Sequence, residues 1–286
     1  MFVGWEGFEK CLKWLINYYY VFNEFYGGNE IFCPSHILNF FFFLFSSIWG
    51  DKTKNKLMIN SMLNLKYSKQ IGRKYSTNKL SPKYKKEYIL TTELKNALIG
   101  IILGDGCLER KEKPTHNTRL REEQTYPKQE ELIKNLHLLL IPITNMSPGI
   151  LSRIDKRTGL TTQSIYFWTM TMPCLNYFHE LFYINRVKSI PNNIAELLTP
   201  IGLAYWIMGD GVYYKNKGVA ICTDSYTKKE VELLAKALSS LFGLICSVHE
   251  HRDNQYRIYI SKRSLDTLRN LVHPYIIPSM LYKIGL

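Results

Sequence analysis

Two stretches of this chain end alike. Leu98–Gly106 reads LIGIILGDG, and Leu203–Gly211 reads LAYWIMGDG. Each is an aliphatic or aromatic run, closed by one carboxylate between two glycines. Asp105 and Asp210 stand at matching places, 105 positions apart (210 − 105). Runs of this length without regular alternation read as buried helices rather than strands. Two buried helices with the same ending imply a fold built from two related halves.

The flanks repeat as well. A helix start at Thr92-Glu-Leu-Lys leads into the first run, and Thr199-Pro-Ile leads into the second, with Pro200 suited to a first helical turn. After each Gly-Asp-Gly come candidate strands, then an amphipathic helix, over Lys128–Leu140 in the first copy and Lys228–Phe242 in the second. Gln124-Thr-Tyr-Pro-Lys-Gln-Glu matches Asp224-Ser-Tyr-Thr-Lys-Lys-Glu. Further strands (Ser164–Thr171, Tyr256–Ser261) and closing helices (Cys174–Tyr183, Ser264–His273) complete the pattern. The expected class is α+β, with two pseudo-symmetric α-β-β-α-β-β-α halves at 91–190 and 191–286.

The first 90 residues differ. Residues 1–50 carry two Lys, four Glu and many aromatics, and read as a hydrophobic leader. Their greasiest run, Ile37–Trp49, falls short of the roughly 20 residues of a membrane helix, and no membrane span is expected. Residues 51–90 hold eleven Lys/Arg against Asp51 and Glu87, and read as a solvated basic linker with a short helix near Leu57–Leu65.

The whole chain of 286 residues has a net charge of +13, which points to a polyanionic partner. Its six cysteines include no C-x-x-C pair, so neither a zinc site nor a disulfide framework is expected. His249 and His251, two apart on a strand, read as a solvated face.

An aspartate at a helix C-terminus faces the negative end of the macrodipole. Both copies accept that penalty. The glycine after each aspartate, Gly106 or Gly211, reads as an ordinary C-cap. Gly100 and Gly104, four apart on one face, allow a second helix to approach closely. Side by side, the two helices bring Asp105 and Asp210 together. Paired carboxylates require either a proton or a cation between them. Mg²⁺ takes hard oxygen ligands of this kind along with waters and substrate phosphates.

The two runs resemble the paired signature motifs of the LAGLIDADG homing endonucleases, in the single-chain form encoded in mitochondrial introns. Lys188-Ser-Ile-Pro-Asn-Asn193 with Leu198–Trp206 resembles the family's approach to its second motif. Ile277–Lys283 resembles its C-terminal end. The resemblance covers about residues 90–286.

It implies a site-specific double-strand DNA endonuclease acting in intron homing, with an RNA maturase for its own group I intron as the alternative. Asp105 and Asp210, with Gly104 and Gly209, would bind Mg²⁺ or Mn²⁺. Lys188 and Lys283 would serve near the reacting phosphate. Gln124 and Asp224 would stand close to the metals and their waters. The seam is expected to be asymmetric, because Tyr205 stands where the first copy has Gly100. Ala204 is the expected point of close approach.

DNA would lie on the strands, held by Arg119, Arg121, Arg153, Lys215, Lys217, Arg252, Arg257 and Lys262. A monomer on a long, partly asymmetric duplex site, in the mitochondrion, completes the expectation.

Overall fold

The computed structural model describes residues 80–111 and 115–286. The leader at 1–50, with its Ile37–Trp49 run, lies outside the described residues, as do the basic segment to residue 79 and the expected helix near Leu57–Leu65. The last part of the basic segment is ordered as a short helix, α1 (Pro82–Glu87). Ser81 caps it by accepting the Tyr84 N–H at 3.1 Å, and Pro82 opens it.

The first motif forms α2 (Thr92–Leu103). Its cap is Thr91, one residue before the expected Thr92; the Thr91 hydroxyl accepts the Leu94 N–H at 3.2 Å. The chain continues through β1 (Cys107–Glu109), β2 (Arg119–Thr125), α3 (Glu130–Leu139), β3 (Gly149–Ile154), β4 (Thr161–Trp168) and α4 (Asn176–Phe182). A two-stranded ribbon follows, β5 (Tyr183–Ile184) and β6 (Val187–Lys188). Its tight turn places Asn185 and Arg186 at φ 50° and 67°. Both central residues are left-handed, as a type I′ hairpin turn requires. The ribbon was not expected from the sequence, where the closing helix ran on to Tyr183.

A short helix, α5 (Ile194–Leu197), leads to the second motif helix, α6 (Pro200–Asp210). Then come β7 (Gly211–Tyr214), β8 (Gly218–Cys222), α7 (Lys228–Phe242), β9 (Cys246–Arg252), β10 (Gln255–Ser261), α8 (Leu265–Val272) and a 3-10 turn at Pro278–Ile284. Thr199 caps α6 through the Gly202 N–H at 3.3 Å, with Pro200 at the first position.

The strands form two open antiparallel sheets of identical order, β1-β2-β4-β3 and β7-β8-β10-β9. Each sheet turns one face inward. Leu120, Ile165 and Phe167 line the first core; Val219, Ile221, Ile258 and Ile260 line the second. The amphipathic helices close these cores with residues at helical spacing: Leu132, Ile133 and Leu136 on α3, and Val231, Leu234, Ala235 and Leu238 on α7. A register shift near Gln255 leaves His251 without a partner across the β9–β10 ladder, whereas His249 pairs with Arg257.

α2 and α6 are apolar on nearly every side because they are covered on nearly every side, by each other and by the sheets. Their seam is a backbone contact. A Cβ built on Gly100 would lie 1.8 Å from the Gly202 carbonyl oxygen. The close approach to Gly100 is therefore made by Gly202, not by Ala204. Tyr205 faces elsewhere, and its hydroxyl lies 3.4 Å from the side-chain oxygen of Asn135.

Candidate active site

The two Gly-Asp-Gly segments interlock. A Cβ on Gly104 would lie 3.5 Å from the Asp210 Oδ2, and one on Gly209 would lie 3.7 Å from the Asp105 Oδ2. Each carboxylate thus rests against the bare backbone just before the other. The glycines that follow are equally constrained. A Cβ on Gly106 would come within 2.6 Å of the Ile101 carbonyl oxygen, and one on Gly211 within 2.5 Å of the Ile207 carbonyl oxygen. Gly211 is extended at φ −70°, and Gly106 is not left-handed either. Gly211 is the C-cap expected from the sequence, its N–H donating to the Ile207 carbonyl oxygen, whereas the first motif helix is capped by Gly104 and not by Gly106; both Gly106 and Gly211 are glycine because the chain turns back onto its own helix.

The helix ends that the aspartates burden electrostatically receive cations instead. Lys188 Nζ donates to the carbonyl oxygens of Gly104 at 2.7 Å and Gly106 at 3.2 Å. Lys283 Nζ donates to the Gly209 carbonyl oxygen at 3.0 Å. A positive charge at the C-terminal carbonyls offsets the macrodipole there. The two lysines reach equivalent carbonyls from unlike supports, the β5–β6 ribbon and the 3-10 turn. Burial lowers the pKa of both, and the neighbouring carboxylates oppose that shift. Tyr226 adds a third donor, from its hydroxyl to the Leu103 carbonyl oxygen at 3.0 Å.

Burial, followed by the charge of Asp105, pushes Asp210 up to about 7, while Lys188 and Lys283 restrain it. Two carboxylates side by side are relieved by a proton or by a cation between them. The donors fit a hard divalent ion: two carboxylates, with the Gly104 and Gly209 carbonyls beside them. Among the described residues, no three His, Cys, Asp or Glu side chains are grouped to hold a metal. An ion here would therefore complete its shell with water and substrate oxygens, as Mg²⁺ ordinarily does.

Gln124 donates from Nε2 to the Asp105 Oδ2 at 2.7 Å. Asp224 is held elsewhere: its two oxygens accept from Arg257 Nε and Nη2 at 2.8 and 2.6 Å. That pairing holds the Asp224 carboxyl below its usual range. The ladders explain why the copies differ. Cys107 pairs with Arg121, and its counterpart Val212 pairs with Ala220. Counting along each strand sets Gln124 level with Thr223, one residue before Asp224. Thr223 is buried and donates its hydroxyl to the Tyr256 carbonyl oxygen at 2.6 Å.

Of the basic residues, Arg119, Arg121 and Arg153 share the outer face of the first sheet, where each has a carboxylate partner. Arg257 lies on the outer face of the second sheet. Lys215, Lys217, Arg252 and Lys262 are at strand ends and turns around that sheet, and make no ion pair among the described residues.

Glu122 is a site residue that the sequence reading passed over. It stands on the inner face of β2, is 2 % exposed, and has one oxygen, Oε1, without a hydrogen-bond partner. With Asp105, Gln124, Gly104 and Gly209 it lines a small cavity at the meeting of the motif helices. Its signal was the alternation of Arg119–Gln124, which puts Leu120 and Glu122 on one face.

Burial raises the pKa of Glu122 well above the ordinary carboxylate value, and Asp105 adds to the shift. A raised folded pKa favours the fold at low pH and loses that benefit as pH rises from the unfolded value, about 4.3. Glu122→Gln cannot ionise. Its melting temperature relative to wild type should therefore climb between pH 4.5 and 7.5 in chelator. A constant difference would show that the Glu122 carboxyl is solvated.

Residues 95–268 match the LAGLIDADG DNA endonuclease family. The cytochrome b mRNA maturase bI2 of Debaryomyces hansenii is 34 % identical over 201 residues, 68 % of this chain and 75 % of that protein. The maturase bI2 of Saccharomyces cerevisiae is 33 % identical over 244 residues, 81 % of this chain but only 53 % of that protein; the chain thus spans about half its length. DNA endonuclease I-ChuI of Chlamydomonas applanata is 28 % identical over 218 residues, 68 % of this chain and 96 % of that enzyme. The homing endonuclease I-WcaI, solved bound to its DNA recognition sequence, superposes with a TM-score of 0.66 at 27 % identity, over 76 % of this chain and 97 % of that one. With two interlocked Gly-Asp-Gly helices over paired open sheets, and a match spanning most of the described residues, this chain belongs to the LAGLIDADG DNA endonuclease family.

Proposed function

We propose that this protein is a site-specific double-strand DNA endonuclease of intron homing, which hydrolyses phosphodiester bonds with Mg²⁺ or Mn²⁺. The observation that carries the reading is the reciprocal seating of Asp105 and Asp210 on Gly209 and Gly104, with a lysine at each helix end. Residues 91–190 and 191–286 would act as two halves of one monomer, each presenting a sheet to one side of a long, partly asymmetric duplex. The mitochondrion fits as its location, since its yeast relatives are named for cytochrome b mRNA.

A divalent ion bound here would activate a water and stabilise the leaving oxygen of the cut strand. The chain's own groups set the conditions. Asp105 and Asp210 supply fixed negative charge at the seam. Gln124 orients Asp105 by donating to Oδ2. Lys188 and Lys283, pinned on backbone carbonyls, hold positive charge where the phosphate gathers negative charge, without needing to reorganise. Lys188→Ala and Lys283→Ala should each slow cleavage about a hundredfold while binding is preserved. Equal losses in binding and cleavage would make them phosphate anchors instead.

The test of the function is a digest of the intronless host locus with Mg²⁺ or Mn²⁺. A single specific double-strand cut supports it, and the absence of any cut rejects it. The maturase names of the yeast relatives favour a second reading, assistance to splicing of its own group I intron. Specific binding of that intron RNA without DNA cleavage would select it.

A further inference from the structure

The outer face of the first sheet carries carboxylates as well as arginines. Arg121 Nη2 lies 2.5 Å from the Glu123 Oε2. Arg153, across the sheet on β3, donates to the Glu123 Oε1, and the Ser164 hydroxyl donates to the same oxygen at 2.7 Å. Glu109 extends the chain, with Oε2 2.6 Å from Arg119 Nη2 and Oε1 3.6 Å from Arg121 Nη1. Arg119 lies 5.5 Å over the ring of Trp168, which stacks on Tyr166 at 5.3 Å. Arginine and glutamate alternate as Arg119–Glu109–Arg121–Glu123–Arg153 across three strands.

The network is layered. The Glu123 side chain is 19 % exposed, whereas those of Arg121 and Arg153 are 41 % and 51 % exposed. The carboxylate lies beneath and the guanidiniums stand above it. The hydrogen bond from Arg153 is the main cause that holds Glu123 down at about 2, so it stays anionic at any working pH. An anion in a DNA-facing surface repels phosphate and lowers affinity for every sequence. It also removes rotamer freedom from two long side chains before they meet a base. Guanidiniums held in this way keep free N–H groups for the paired acceptors of guanine in the major groove.

We propose that Glu123 is a specificity-determining residue, a positioning group that aims Arg121 and Arg153 at base edges at the cost of overall DNA affinity. The proposal rests on the reading of this sheet as the DNA face. The second sheet is organised differently, with one Arg257–Asp224 pair and unpaired lysines around it. Base discrimination should accordingly be concentrated on the half-site under the first sheet.

The experiment selects bound duplexes from a randomised library in chelator, with the full chain as wild type, Glu123→Gln, Arg121→Gln and Arg153→Gln. Binding to an arbitrary duplex is titrated against salt alongside. Glu123→Gln should bind the arbitrary duplex several-fold more tightly. It should also lose preference, tenfold or more, at the same base pairs that Arg121→Gln and Arg153→Gln relax. A purely structural role would lower binding evenly at all positions and overturn the proposal. Unchanged preference in Glu123→Gln, or relaxation at base pairs that neither arginine variant affects, would overturn it too. A wild type with no preference at any position would instead overturn the reading of the sheet as a sequence-reading face.

Discussion

Asp105→Asn and Asp210→Asn should each remove DNA cleavage and leave DNA binding within a few-fold of wild type. The amide keeps the size of the side chain, and the opposite glycine still accommodates it at the 3.5–3.7 Å spacing. It lacks the charge that holds a hard cation. Loss of metal-assisted water activation is worth a thousandfold or more, about 4 kcal/mol of barrier. If DNA lies on the sheets as proposed, its binding would not pass through either carboxylate, and removing one anion near phosphate should strengthen it slightly.

Cleavage and equilibrium binding of one duplex, measured side by side with Mg²⁺ and with chelator, decide the matter. A variant that binds poorly yet cuts bound DNA at the wild-type rate would remove the aspartates from the catalytic role. The wild type has a related signature. Asp210 gives up its proton near pH 7, so metal uptake and cleavage should rise as pH rises through that value.

Gly100→Ala should be among the most damaging single-methyl changes in the described structure. The new Cβ would sit 1.8 Å from the Gly202 carbonyl oxygen, 2.6 Å from its carbonyl carbon and 2.9 Å from its Cα. These atoms are backbone and cannot swing aside as a side-chain tip would. α2 and α6 would have to separate along a seam where Leu98, Ile102, Leu203 and Ile207 are fully buried. Overpacking of this kind costs about 3 kcal/mol or more. The same separation would unseat each aspartate from its glycine, so whatever folds should cut poorly.

Gly202→Ala is the comparison, since its Cβ meets the Asn96 carbonyl oxygen only at 3.0 Å and should be tolerated better. Melting temperatures of the two variants test the seam. A Gly100→Ala variant as stable as Gly202→Ala would mean the helices are not in backbone contact.

The motif helices, the order of elements and the positions of Asp105 and Asp210 were legible because apolar periodicity and repetition are local signals. The seam was harder. Aligning the two Gly-Asp-Gly endings sets Gly100 opposite Tyr205 and suggests Ala204, but crossing helices meet where their faces converge, which brings in Gly202. Asp224 was matched to Gln124 through the shared Tyr and Lys that follow, whereas the ladders run one residue out of step with that match. Glu122 looked like one more charged residue of a solvated strand. Only its parity with Leu120 marks it as interior. The β5–β6 ribbon was missed because two-residue strands carry almost no pattern, and its left-handed Asn185–Arg186 turn lacks the glycine that usually announces one.

The contact between Gly100 and Gly202 also fixes a length. With the helix backbones touching, the spacing of Asp105 and Asp210 is set by main-chain atoms and not by adjustable side chains. On the proposed function, the number of unpaired nucleotides left at the ends of a broken duplex would then be a property of the seam. If the first sheet reads DNA as proposed, substituting Arg119, Arg121 or Arg153 would redirect the protein to another sequence, yet the overhang it leaves there would be unchanged.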